Sequence, residues 1–166
     1  MKKIIVIGCP GAGKSTFSLA LQKRIHIPLF HLDNLWHKPD KTTVSQEEFQ
    51  AALENIVGQD AWIIDGNYLS TMEYRLRHCD TVFFLDYPLE VCLAGVESRI
   101  GKHRIDMPWV ETEFDPEFRE WIEAFPDEQL PQMRRLLKRF EDTVRVISFH
   151  TREQAEAYLK SIDSPL

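Results

Sequence analysis

Gly8-Cys9-Pro10-Gly11-Ala12-Gly13-Lys14-Ser15 follows the apolar run Ile4-Ile5-Val6-Ile7 and opens an apolar-periodic segment. A buried strand, a glycine-rich turn and a helix in that order make this G-x-x-x-x-G-K-S stretch a phosphate-binding loop. Three of the seven glycines fall within residues 8–13, where missing side chains let successive backbone N–H groups face phosphate oxygens. Lys14 adds a mobile cation for the β- and γ-phosphates, and the Ser15 hydroxyl is placed to ligate the Mg²⁺ that travels with a nucleotide. The expected cofactor contacts are Gly8, Pro10, Gly11, Ala12, Gly13, Lys14, Ser15 and Thr16.

Outward from the loop, short apolar segments at 3–7, 28–32, 61–65, 81–86 and 143–149 alternate with helical patterns, which predicts an α/β sheet with helices on both faces. Continuous runs such as Trp62-Ile63-Ile64 and Val82-Phe83-Phe84-Leu85 suit parallel strands buried on both sides. Phe49, Ala52, Leu53 and Ile56 form one helical stripe behind a Ser45/Glu48 capping box, and Leu89, Cys92, Leu93 and Val96 form another. Asp115 and Pro116 open a helix whose buried face is expected to be Phe118, Trp121, Ile122 and Phe125. Met133, Leu136, Leu137 and Phe140 mark the next helix. The last starts at Thr151 with Gln154 as capping partner and buries Ala155, Tyr158, Leu159 and Ile162.

The 166 residues fit one domain, 1–166, with a lid-like segment of no clear period around 101–117. No apolar run approaches a membrane span and Met-Lys-Lys leads directly into a strand, so a cytoplasmic protein is expected. Cys9, Cys79 and Cys92 have neither disulfide-framework nor zinc spacing. A net charge of −6 argues against a general nucleic-acid surface. Residues 1–32 nevertheless carry five basic groups and no acid, whereas residues 86–128 hold twelve acids against four bases, so positive charge gathers around the loop. The Arg134-Arg135-Lys138-Arg139 run reads as the wet face of its helix.

Ligands of open α/β sheets bind at the carboxyl ends of the strands. His31-Leu32-Asp33, Asp65-Gly66-Asn67 and Asp86 stand at those ends. Asp65 and Asp86 compete for the metal-associated role. Asp65 is favoured, because Gly66 lets the backbone approach a phosphate while Asp86 precedes Tyr87-Pro88 and can cap a helix. Asp33 either orients an acceptor and takes its proton or serves as a cap or solvated acid. His31 and His37 read as structural or surface groups. Arg75 and Arg77 are placed to hold an acceptor phosphate; Arg99, Lys102 and Arg104 enter the lid-like segment, where closure excludes water.

These motifs, with Phe83-Phe84-Leu85-Asp86-Tyr87-Pro88, resemble over nearly the whole chain the adenylate kinase-related P-loop kinases, and among them the small group called topology modulation proteins. The resemblance implies a three-layer P-loop NTPase fold, a five-stranded parallel sheet of order 2-3-1-4-5 with its site at the strand ends. It implies an ATP- and Mg²⁺-dependent phosphotransferase with Lys14, Asp33, Arg99 and Arg104 as catalytic groups. Asp65 would serve the metal with Ser15, Arg99 would pack on the adenine, and Asp33 would hold or deprotonate the acceptor; Gly66 and Arg75, from their place after the third strand, are the further acceptor contacts expected. Nucleoside monophosphate kinases place Phe-Pro-Arg after this Asp-Gly, whereas here Asn67-Tyr68 follows and the next arginine is Arg75. The expected partners are a nucleotide and a small-molecule acceptor, with the chain a monomer or weak homodimer. The alternative is an ATP-binding regulator associated with DNA topology, without phosphotransfer.

Overall fold

The computed structural model describes residues 1–163, so the end of the expected 1–166 domain lies outside the described residues. β1 (Lys3–Gly8) enters the glycine loop and α1 (Lys14–Ile25), and β2 (Leu29–His31) leads through a short α2 (Leu32–Trp36) to α3 (Gln46–Val57). β3 (Trp62–Asp65), α4 (Leu69–His78), β4 (Thr81–Leu85) and α5 (Leu89–Arg99) follow. The chain ends through α6 (Pro116–Glu128), α7 (Leu130–Arg139), β5 (Arg145–Phe149) and α8 (Arg152–Asp163).

Among the described residues, five parallel strands form one sheet in the order β2-β3-β1-β4-β5, as expected. Helices cover both faces, with α1 packed on α8 and α4 on α3 and α7. β1 is the central strand, and Ile4, Ile5, Val6 and Ile7 have no exposed surface, which is why its sequence is apolar without alternation. Phe17, Phe83 and Phe149 interlock beside it at centroid separations of 5.1 to 6.1 Å. Burying each ring contributes about 2–3 kcal/mol of transfer free energy. The register sets Val6 beside Asp65 and His31 beside Asp65, so the segments after β1, β2 and β3 emerge at one edge. That edge holds the candidate site.

Two local expectations change, and the structure adds one helix. The β2 ladder stops at His31 because the fully buried Leu32 turns the chain into α2, which puts Asp33 in a helical first turn rather than an open loop. α4 carries no clear apolar period because its buried positions are Thr71, Met72, Arg75 and Leu76, two of them polar. On α6, Ile122 and Phe125 are buried as expected, but Trp121 is 38% exposed and stands on a cleft wall instead of in the core. The caps agree better: Ser45 accepts from Glu48 N at 3.1 Å, and Thr151 from Gln154 N at 3.2 Å.

The glycine loop is held by backbone contact. A Cβ on Gly11, whose φ is +86°, would collide with the Cys92 carbonyl, and one on Gly95 would collide with the Gly11 carbonyl. Loop and α5 therefore touch main chain to main chain. Helix propensity alone predicts that Gly95→Ala gains roughly 1 kcal/mol. The collision reverses the sign, and we expect a loss of about 1–3 kcal/mol from overpacking, read as a lower urea midpoint at unchanged slope; a stabilised variant would show that the contact is slack.

Candidate active site

The loop turns tightly enough for Ala12 N–H to donate to the Cys9 carbonyl at 3.0 Å, and α1 starts without an acid in its first turn. Free N–H groups and the positive helix end therefore face the cleft. Lys14 Nζ donates to the Gly8 carbonyl at 2.9 Å and reaches the Cys9 carbonyl at 3.4 Å, which folds the ammonium across the loop mouth. Burial holds that ammonium below the ordinary lysine range, opposed by the Asp33 and Asp65 charges. Asn67 grips the same strand end twice, donating to the Gly8 carbonyl at 2.7 Å and accepting from Gly8 N at 3.1 Å.

A cleft of about 410 Å³ opens over the loop, and Lys14, Ser15, Asp33, Asp65, Arg99 and Arg104 all line it. Asp86 is not among its lining residues; it accepts from Arg134 Nη2 at 2.6 Å instead. Asp65 is buried and accepts from His31 Nδ1 at 2.6 Å. Burial alone would lower the imidazole, but the hydrogen bond and charge of Asp65 outweigh it and raise His31. His31 is thus a structural partner of a carboxylate that lines the same cleft as Ser15.

Asp33 faces a second cleft of about 310 Å³ as well as the first, and Lys14 and Gly66 line both. The Tyr68 hydroxyl donates to Asp33 Oδ1 at 2.6 Å. Tyr68 holds a left-handed conformation, φ +37°, uncommon for a bulky residue and of the kind found where surrounding structure over-determines the backbone. Burial first, then the Asp33 charge and hydrogen bond, push its phenol well above the ordinary value.

Arg75 does not fit the acceptor-phosphate role expected of it. Its side chain is fully buried, and it donates to the Gly66 carbonyl at 3.0 Å, Thr71 Oγ1 at 3.2 Å, the Tyr68 carbonyl at 3.3 Å and the Asn67 carbonyl. The turn after β3 leaves its carbonyls without ladder partners, and the guanidinium satisfies them. Burial pulls its ionisation down to about 10. Arg77 pairs on the outer surface with Glu73 at 3.0 Å, and Lys102 is exposed and not part of the cleft lining.

Segment 100–115 has no helix or strand of its own and is tied down by Arg104. Arg104 grips Asp106 through two bonds, 3.0 and 2.7 Å, and donates to Glu111 Oε1 at 2.6 Å. Its charge is therefore already matched, and any phosphate contact requires exchange of partners. Arg99 is held more loosely: its Nη2 lies 3.8 Å from Glu111 Oε1, its Nε is buried with no hydrogen-bond partner among the described residues, and its guanidinium sits 5.9 Å from the Phe118 ring centroid.

Four lining or supporting groups escape sequence reasoning. Asp106 is buried in the cleft, yet it lies in a segment without periodicity. Arg152, from the start of α8, donates to the Ala12 carbonyl at 3.1 Å and the Gly11 carbonyl at 3.3 Å, a contact across 140 residues that no local signal announces. Asn67 and Tyr68 were visible only as the residues replacing Phe-Pro. An amide directly after Asp-Gly was the available clue.

No family model matches the chain, and no curated protein matches its sequence. Among solved structures it is similar to a shikimate kinase from Bacteroides thetaiotaomicron, with TM-score 0.59 and 18% identity over 96% of this chain and 95% of that one. It is similar to a shikimate kinase from Acinetobacter baumannii, solved with shikimate, with TM-score 0.55 and 16% identity over 98% and 93%. A shikimate kinase from Aquifex aeolicus gives TM-score 0.55 and 17% identity over 96% and 92%. At such identities the likeness establishes the P-loop NTPase fold.

Two outcomes check this geometry. Arg75→Met keeps the volume but strands three backbone carbonyls, and we expect a stability loss of about 2–4 kcal/mol in urea unfolding; a loss under about 0.5 kcal/mol would remove the clamp. A phenol raised above its ordinary value gives stability that is fully present below about pH 10 and lost as pH climbs through the raised value. Spectrophotometric titrations of wild type and Tyr68→Phe should therefore superimpose until alkaline unfolding, and a step near pH 10 missing from the variant would show an ordinary phenol.

Proposed function

We propose that the protein is an ATP- and Mg²⁺-dependent phosphotransferase that moves the γ-phosphoryl group to a hydroxyl of a small acceptor. One observation carries the reading: Lys14, Asp33 and Gly66 form the wall common to two adjoining clefts, one over the phosphate loop and one beyond it. A phosphoryl group held by Lys14 would lie between a nucleotide on one side and an acceptor on the other.

The residues fit such a nucleotide. The loop presents N–H groups, Arg99 Nε is buried without a partner among the described residues, and Arg152, which also lines the cleft, holds the Ala12 carbonyl. Ser15 and Asp65 supply the hydroxyl and carboxylate oxygens that Mg²⁺ favours. Among the described residues no cluster of three His, Cys, Asp or Glu side chains is set for a metal, which suits an ion held mainly by phosphate and water. When bound, Mg²⁺ draws charge off the phosphate oxygens.

The chain's own groups account for the rest. Loop amides and Lys14 cradle the phosphates and meet the charge that develops on the equatorial oxygens. Tyr68 holds Asp33 Oδ1, which leaves Oδ2 to take the acceptor proton while the acceptor oxygen bonds phosphorus and the β–γ bridge breaks toward ADP. The solved structures that share the fold support the same class of reaction through their names as kinases. The DNA-linked alternative, and with it assignment to the topology modulation group, gains no support: the basic run of α7 is partly neutralised by Asp86 on Arg134 and by Glu73 on Arg139. Among the described residues no helix is long and apolar enough to cross a membrane.

The test is ADP formation from Mg²⁺-ATP across a panel of nucleosides, nucleoside monophosphates, polyols and hydroxy acids. Lys14→Ala should slow acceptor-dependent turnover by about 10²–10³-fold, as loss of a preorganised oxyanion donor does. Asp33→Asn should slow it by about 10²-fold or more at unchanged ATP affinity. Intact turnover in Lys14→Ala, or ATP binding with no acceptor raising ADP formation above that variant's background, overturns the reading.

A further inference from the structure

The second cleft has a chemistry of its own. Its walls are apolar and aromatic: Leu69 and Tyr68 on one side, Phe118, Trp121, Phe125 and Met133 on the other. Phe118 and Trp121 lie almost parallel, 11° between planes and 6.2 Å between centroids, and Trp121 meets Phe125 edge-on at 5.5 Å. Trp121 keeps 38% of its surface exposed although it sits in the middle of a helix whose neighbouring turns bury Ile122 and Phe125. An indole left part-exposed on a cleft wall offers aromatic surface to whatever enters.

The charges of this cleft are equally defined. Lys14 is the one cation among the described residues that line it, and its Nζ is folded toward the loop carbonyls on the nucleotide side. Asp33 is the one carboxylate, and His37, Asn67 and Gln129 complete the polar lining. Arg75, the arginine that follows the Asp65-Gly66 turn, is sealed beneath it and spends its donors on backbone carbonyls. An acceptor with its own phosphate or carboxylate would lose water here without gaining a counter-charge and would face Asp33, which is unfavourable on both counts.

We infer that the acceptor is an uncharged alcohol with a flat aromatic or heteroaromatic body, stacked on Trp121 with its hydroxyl toward Asp33, and that Trp121 sets this specificity. The reacting hydroxyl rests on the phosphotransfer proposed above; the neutral flat body rests on the cleft alone. A volume of about 310 Å³ is at the small end of ligand sites and suits one such ring system with its hydroxyl arm.

The experiment uses matched neutral and anionic probes on the full chain: adenosine against AMP, and 4-(hydroxymethyl)benzamide against 4-(hydroxymethyl)benzoate. ADP formation at saturating Mg²⁺-ATP gives kcat and KM, and calorimetry with a non-hydrolysable ATP analogue gives binding without turnover. The expected result is a neutral member favoured by about 100-fold or more in kcat/KM. Trp121→Ala should raise its KM about 10-fold or more, with kcat within about threefold and ATP affinity unchanged. Gln129→Lys should narrow the neutral preference by about 10-fold, which a merely structural role for the wall would not do. Turnover with anionic members alone, or an unchanged KM in Trp121→Ala, overturns the inference while leaving the kinase reading intact. Neutral probes that bind, that Trp121→Ala releases, and that support no ADP formation overturn phosphotransfer and uphold the cleft's specificity. Neutral probes that neither bind nor react overturn the inference.

Discussion

Main chain touching main chain at Gly11 and Gly95 is the constraint on which the rest of the site depends. A phosphate loop must turn back on itself while keeping its N–H groups free, and α5 must pass close enough to hold it there without side chains between them. The Gly11 carbonyl and the Cys92 carbonyl occupy the space that two Cβ atoms would need. With the loop pinned on that side, Asn67 fixes Gly8 from the β3 side and Arg152 holds the Gly11 and Ala12 carbonyls from α8. Three elements far apart in sequence thus immobilise six residues whose own backbone makes few ladder bonds. Preorganisation of this kind is what allows N–H groups to meet developing charge without first rearranging.

Buried charge is arranged with the same economy. Each ionisable group near the loop has a partner that orients it: His31 for Asp65, Tyr68 for Asp33, Asp106 and Glu111 for Arg104. An unpaired buried charge costs several kcal/mol, so these contacts hold side chains in place as much as they stabilise the fold. Arg99 shares Glu111 with Arg104, at 3.8 Å from Nη2 to Oε1, and keeps one buried nitrogen, Nε, without a hydrogen-bond partner among the described residues. Arg75 is the opposite case, a guanidinium fully consumed by the architecture.

How far the sequence could be read depended on how local each cause was. β1 and β4 are apolar throughout because both of their faces are covered, and such runs are visible without any partner. The caps at Ser45 and Thr151 are equally local. α4 was hidden because Thr71 and Arg75 occupy half of its buried face, serving the turn before it instead of the core. Trp121 was read as core because helical spacing reports which side of a helix faces inward, and both core and cleft lie on that side.

By itself, then, the sequence determined the phosphate loop, the alternation of strands and helices, and the presence of acids at the carboxyl ends of β2 and β3, since each follows from neighbours within a few positions. The sheet order came through the resemblance and stands in the structure. Local neighbours already favoured Asp65 over Asp86, and Asp65 is the one that lines the loop cleft. Only the tertiary structure decided that Arg75 is a buried clamp, that Arg152 reaches the loop, and that aromatic rings wall a second cleft. Most of those outcomes depend on which surfaces meet after the chain has crossed the sheet several times, and contacts 59 to 140 positions apart leave no periodic trace in the chain that makes them. Arg75 reaches only 4 to 9 positions back, and there it is the complete burial of the side chain that no local pattern announces.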